Sequence, residues 1–187
     1  MKVFILDNYD SFTYNLCHYV EGLDTEVVVK KNDQFELDEI QQFDKIIISP
    51  GPGLPKNAGE LMEVIHRFHT SKPILGVCLG MQALGEYFGE SLINLNIVKH
   101  GVQEDVFISK PSKIFNSIQS PFQVGLYHSW AIEKFEENNS IEITSFSENN
   151  VAMSIQHKSL PIYGVQFHPE SILTPNGKTI IKNFLSD

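Results

Sequence analysis

The chain has 187 residues, 42% of them hydrophobic and 20% charged, which is enough for one filled core and too apolar for a disordered polymer. A formal charge of -9, with Arg67 as the single arginine, excludes a surface built to neutralise phosphates, so no nucleic-acid partner is expected. The first apolar run, Val3–Leu6, is cut off by Asp7, and no run is long enough to cross a bilayer, so a cytoplasmic protein without membrane contact is expected.

Apolar β-rich runs alternate with helical patterns through the first half, the signature of βαβ units around a parallel sheet. In order, the pattern predicts a strand Val3–Leu6, a helix from about Ser11 to Gly22 and a strand Glu26–Val29. A strand Lys45–Ser49 then leads to a helix from about Ala58 to Thr70, and a strand Pro73–Val77 to a helix Leu79–Phe88. The second half reads as shorter, antiparallel strands: Leu92–Val98, Gln103–Ile108, Ile141–Phe146 and Val151–Gln156, with Asn149-Asn150 as a hairpin turn. A strand Ile162–Phe167 and a helix near Gly177–Leu185 close the chain. The fold class expected is an open, mainly parallel α/β sheet flanked by helices, as one domain over residues 1–187, with added antiparallel strands.

Two cysteines 61 positions apart, neither in a CxxC or Cys/His cluster, suggest neither a disulfide framework nor zinc. Cys78 lies in Gly76-Val77-Cys78-Leu79-Gly80, a glycine-flanked nucleophile between an apolar strand and a helix. Such a turn lifts the middle side chain off the sheet edge, so Cys78 is expected to be presented and not buried. Peptide dipoles at the helix start favour its thiolate, and the Leu79 amide points toward the oxygen of a tetrahedral intermediate. Taken alone, a cysteine is more often a small core residue.

A cysteine nucleophile needs a base and a group to orient that base. His168-Pro169-Glu170, at the end of an apolar strand, offers both, since residues two apart in extended chain project to one side. The loop Pro50-Gly51-Pro52-Gly53 follows strand Lys45–Ser49 at the same expected sheet edge, and its small side chains would let a backbone amide approach a substrate oxygen. A plain tight turn explains that loop as well.

Taken together, Asp7 to Leu16, Ser49-Pro50-Gly51-Pro52-Gly53, Gly76 to Gln82, Tyr127-His128-Ser129 and Gly164 to Ser171 make the chain resemble the class I, triad-type glutamine amidotransferases. Within them it is similar to the small subunits of anthranilate synthase and aminodeoxychorismate synthase. The resemblance implies a flavodoxin-like fold, with Cys78 as nucleophile, His168 as base and acid, and Glu170 as its orienting partner. Gly51, Pro52, Gly53, Leu79, Gln82, Ser129 and Trp130 would bind L-glutamine. It further implies no cofactor in this chain, magnesium only in a chorismate-binding large synthase subunit, and passage of ammonia to that large partner. The alternatives are a stand-alone cysteine hydrolase of γ-glutamyl amides and a non-catalytic binding module. Trp130, Leu126 and Val102 stand where the family more often has leucine, a basic residue and lysine.

Other signals point to structure. Gly177-Lys178-Thr179 lacks the first glycine of a P-loop, since position 172 is Ile172. Glu63, His66 and His69 share a helix face with no third element to complete a metal site, so no metal is assigned. His128 reads as a loop histidine bonded to backbone, Cys17 as packing, and Asp10 or Ser11 as an N-cap in the Asp7–Thr13 loop, itself a candidate for partner contact.

Overall fold

Runs of Val, Ile and Leu with both faces covered form the centre of the molecule, seen in a computed structural model that describes residues 1–96, 98–135 and 138–186. The first half comprises β1 (Lys2–Asp7), α1 (Thr13–Glu21), β2 (Glu26–Lys31), β3 (Lys45–Ile48), α2 (Leu61–Phe68), β4 (Ile74–Val77) and α3 (Leu79–Tyr87). It continues with β5 (Leu92–Asn94), β6 (Val102–Ile108), β7 (Phe122–Leu126), β8 (Trp130–Ile132), β9 (Ile141–Ser147), β10 (Ala152–His157), β11 (Ile162–Val165) and α4 (Gly177–Leu185).

The main sheet has the strand order β2-β1-β3-β4-β11-β10-β9-β6-β7, and β5 pairs with β8 in a small separate sheet. The five strands from β2 to β11 pair in parallel, and those beyond pair antiparallel. Alternation within β1 sends Val3 and Ile5 to one face, with Leu16 and Val20 of α1 and Ile180, Ile181 and Phe184 of α4. Phe4 and Leu6 face the other side, with Leu61, Val64 and Ile65 of α2 and Met81 and Leu84 of α3. The predicted α/β sheet with added antiparallel strands is therefore the observed architecture. The Asn149-Asn150 turn joins β9 to β10, with Asn150 at φ 64°.

Several boundaries differ from those predicted. Helix α1 starts at Thr13 with Phe12 as its N-cap and no capping side chain. Asp10 acts just before it, accepting the Phe12 amide at 2.8 Å, so neither Asp10 nor Ser11 is the cap. Helix α2 starts at Leu61, because Gly59, at φ 53° just after a 3-10 turn over Pro55–Asn57, breaks the start of the predicted helix. The strand expected over Leu92–Val98 is only Leu92–Asn94, and position 97 lies outside the described residues. Strands β7 and β8 were not anticipated. Val102 and Leu126, two of the departures from the family pattern, are cross-strand partners on β6 and β7.

Candidate active site

Cys78 joins β4 to α3 in the left-handed region, at φ 52° and ψ -101°. A non-glycine residue held there costs about 1–3 kcal/mol and persists only where its surroundings fix it. The Cys78 amide donates to the Val165 carbonyl at 2.8 Å, and its carbonyl accepts the Gln82 amide at 3.0 Å. The flanking glycines are required by contact: a Cβ on Gly76 would lie 2.5 Å from the Gly80 carbonyl, and one on Gly80 would lie 2.7 Å from the Ile48 carbonyl. Helix α3 therefore starts pressed against the sheet, with Cys78 at the crest of the turn.

The thiol is less open than the sequence suggests. Cys78 is only 6% exposed, because the Gly51–Gly53 loop and the segment Tyr127–Trp130 fold over it. It still lines a cavity of about 230 Å³ with Gly51, Pro52, Gly53, Gln82, Ser129 and Trp130, as well as Tyr127 and His128. A larger groove of about 930 Å³, beside Pro73 and Pro161 at the opposite ends of the parallel strands, contains none of these residues.

His168 and Glu170 do not line that cavity and are 2% and 3% exposed. The His168 Nδ1 and Glu170 Oε1 atoms are 2.7 Å apart. The His168 amide donates to Gly125 on β7 at 3.1 Å, and its carbonyl accepts the Thr174 hydroxyl at 2.7 Å. Tyr127 and Phe12 pack on the imidazole at centroid distances of 4.8 and 5.6 Å. Burial opposes a charge on this ring, but interaction with Cys78 and with Glu170 outweighs it, and the His168 pKa is raised to about 10. Nε2 is buried with no partner of strict hydrogen-bond geometry. Cys78 thus acts on the ring through its charge, without a closed hydrogen bond to Nε2.

The sequence matches the family model for class-I glutamine amidotransferases over residues 4–187. The chain belongs to this family. It is 41% identical to anthranilate synthase component 2 of Thermus thermophilus, covering 100% of this chain and 93% of that one. It is 40% identical to aminodeoxychorismate/anthranilate synthase component 2 of Bacillus subtilis, covering 98% and 95%. Among solved structures it is similar to a GMP synthase subunit from Thermoplasma acidophilum, with a TM-score of 0.89, 25% identity and coverage of 100% and 92%.

The amidotransferase fold brings most of the predicted glutamine contacts to one cavity; Leu79 is the exception. Its side chain is 1% exposed and packs in the core, so its contribution is confined to a first-turn amide with no acceptor inside the helix. The loop after β1 is tied to the cavity wall. Asn8 donates through its side chain to the Ser49 carbonyl and through its backbone to the Ser49 hydroxyl, both at 2.9 Å. One oxygen of Asp7 accepts from the Tyr9 amide, the Asp10 amide and the Thr13 hydroxyl.

His128 does more than bond backbone. Its Nδ1 bonds the Trp130 carbonyl at 2.9 Å, as expected of a loop histidine, yet it also lines the cavity. A carbonyl can only accept, so Nδ1 carries the proton and the buried, unpartnered Nε2 is a bare acceptor. Burial lowers the His128 pKa and keeps the ring neutral. Sequence reasoning passed over Gln166, although Gln166 and His168 occupy positions of the same parity on one strand end. Away from the cavity, His66 and His69 pack around Tyr87. Cys17 is a core thiol whose pKa is pushed up to about 11, first by burial and then by Glu21. Among the described residues no helix is long and apolar enough to cross a membrane.

Proposed function

We propose that this chain hydrolyses L-glutamine to glutamate and ammonia through a γ-glutamyl thioester on Cys78, and delivers the ammonia to a chorismate-using synthase subunit. The observation that carries the reading is a cysteine strained into a left-handed turn on the wall of a polar cavity, electrostatically coupled to a buried His168–Glu170 pair. The names of the Thermus and Bacillus relatives support the chorismate-using partner.

The Cys78 sulfur attacks the side-chain amide carbon, forming a C–S bond while the carbonyl π pair moves to oxygen. The Leu79 amide and the Gly51–Gly53 loop stabilise that oxyanion. Collapse breaks the C–N bond as His168 gives its proton to the departing nitrogen. Water then attacks the thioester, His168 takes its proton, and glutamate leaves with Cys78 restored. Glu170 holds the imidazole orientation throughout. Gln82, Ser129 and Trp130 bind the amino-acid end of the substrate, where a zwitterion needs both donors and acceptors.

The test is synthase turnover in the complex with the large subunit, chorismate and magnesium, using glutamine or ammonium as nitrogen donor. Cys78→Ala abolishes the glutamine-driven rate and leaves the ammonium-driven rate. A Cys78→Ala complex that still uses glutamine at the original rate overturns the assignment.

A further inference from the structure

Gln166 directly follows β11, is 0% exposed, and bonds into the cavity wall through a chain of side-chain amides whose direction can be deduced. The Trp130 carbonyl can only accept, so the Gln82 atom 2.9 Å from it is the NH2 group. That same group lies 3.1 Å from the Gln166 side chain, where the atom must then be the carbonyl oxygen. The Gln166 NH2 is thereby turned the other way, 3.4 Å from the Cys78 sulfur. One backbone carbonyl sets the polarity of the whole chain.

We propose that Gln166 is a hydrogen-bond donor to the Cys78 sulfur that favours its thiolate and fixes its place in the cavity. The inference rests on Cys78 being the nucleophile, as proposed above. A donor facing a thiol stabilises the charged form over the neutral one and lowers the pH at which the proton leaves. Gln166 is the first residue past β11, its amide held by the Met153 carbonyl at 2.9 Å, and Phe167 after it is fully buried in the core. The segment that leaves β11 thus brings an amide nitrogen to the sulfur. The same chain occupies both N–H groups of Gln82, leaving its carbonyl oxygen as an acceptor in the cavity that Gln82 lines. Gln166 therefore also holds a substrate-facing amide in one orientation.

The experiment is the pH dependence of iodoacetamide alkylation of the isolated chain, in a Cys17→Ala background so that only Cys78 reports. Gln166→Met removes the donor, and the alkylation midpoint rises by about one pH unit, roughly a 10-fold loss of rate below both midpoints. Gln166→Glu keeps the shape but puts a carboxylate against the sulfur, and the midpoint rises further. Gln166→Asn keeps the amide and withdraws it by one carbon, so it also shifts upward and serves if the other two fail to fold. An unmoved midpoint in any folded variant of the three overturns the proposal. A merely structural role would alter melting without moving the midpoint. The assay contains no glutamine, so failure of the wild-type complex to use glutamine sinks the earlier reading alone. Unmoved midpoints beside normal turnover sink this one alone.

Discussion

Replacing Glu170 separates orientation of the imidazole from its charge. Glu170 is 3% exposed and makes a 2.7 Å contact with a ring that is itself 2% exposed, so solvent does little to screen the pair. Truncation to alanine leaves His168 buried without its counter-charge, a change that costs about 3–5 kcal/mol when one partner of a buried pair is removed. For a chain of this size that corresponds to a melting temperature lower by roughly 6–20 °C. Loss of a correctly oriented acid–base group costs about 10²–10⁴-fold in rate. Glu170→Gln retains a carbonyl that can accept the Nδ1 proton but loses the charge, so its stability and glutamine-driven rate fall between wild type and Glu170→Ala. Thermal melts of the isolated chain and glutamine-driven turnover of the complex measure the two effects, with ammonium-driven turnover as the control for an intact partner. A folded Glu170→Ala variant that keeps glutamine turnover within about threefold of wild type would refute the reasoning, since orientation by a carboxylate would then contribute almost nothing.

Two further outcomes follow from the same geometry. The folded His168 pKa of about 10 lies above its ordinary value of 6.5, so the folded chain holds a proton that the unfolded chain releases first. Its stabilisation is complete below pH 6.5 and is lost as pH rises toward 10. Urea-derived stability of wild type relative to His168→Asn falls with pH in this window, by at most about 1.4 kcal/mol per pH unit, and a flat difference would contradict it. At the elbow, Gly76→Ala places a Cβ 2.5 Å from Gly80 backbone that cannot rotate away. Overpacking of about 1–3 kcal/mol and a displaced Cys78 should lower urea stability and cut glutamine turnover by up to about 100-fold, whereas wild-type behaviour in both measurements would remove the packing reason for this glycine.

The inner strands of the parallel half were legible because they are covered on both faces and read as apolar runs, as in Ile46-Ile47-Ile48. Strand β7 was harder to see, although Phe122, Val124 and Leu126 are buried with the exposed Gln123 and the side-chain-free Gly125 between them. Five residues of this kind carry too short a period to stand out, yet the Gly125 carbonyl on that strand holds the His168 amide. Strand β8 has three residues and depends on β5 alone for pairing. Helix starts were misplaced where backbone turns near Phe12 and Gly59 took precedence over side-chain caps.

The order of local motifs determined which groups could react: a glycine-flanked cysteine at a strand-to-helix turn, and a histidine and a carboxylate two residues apart on one strand end. Those are short-range facts, settled by spacing and by the few conformations each segment permits. Tertiary structure decided how those groups are covered and coupled. Packing of the Gly51–Gly53 and Tyr127–Trp130 segments around the cavity left Cys78 only 6% exposed, burial left His128 a neutral acceptor, and a carbonyl at Trp130 oriented Gln82, which in turn set the Gln166 amide toward the sulfur. Burial and hydrogen-bond polarity depend on residues distant in the chain, and no local pattern encodes them.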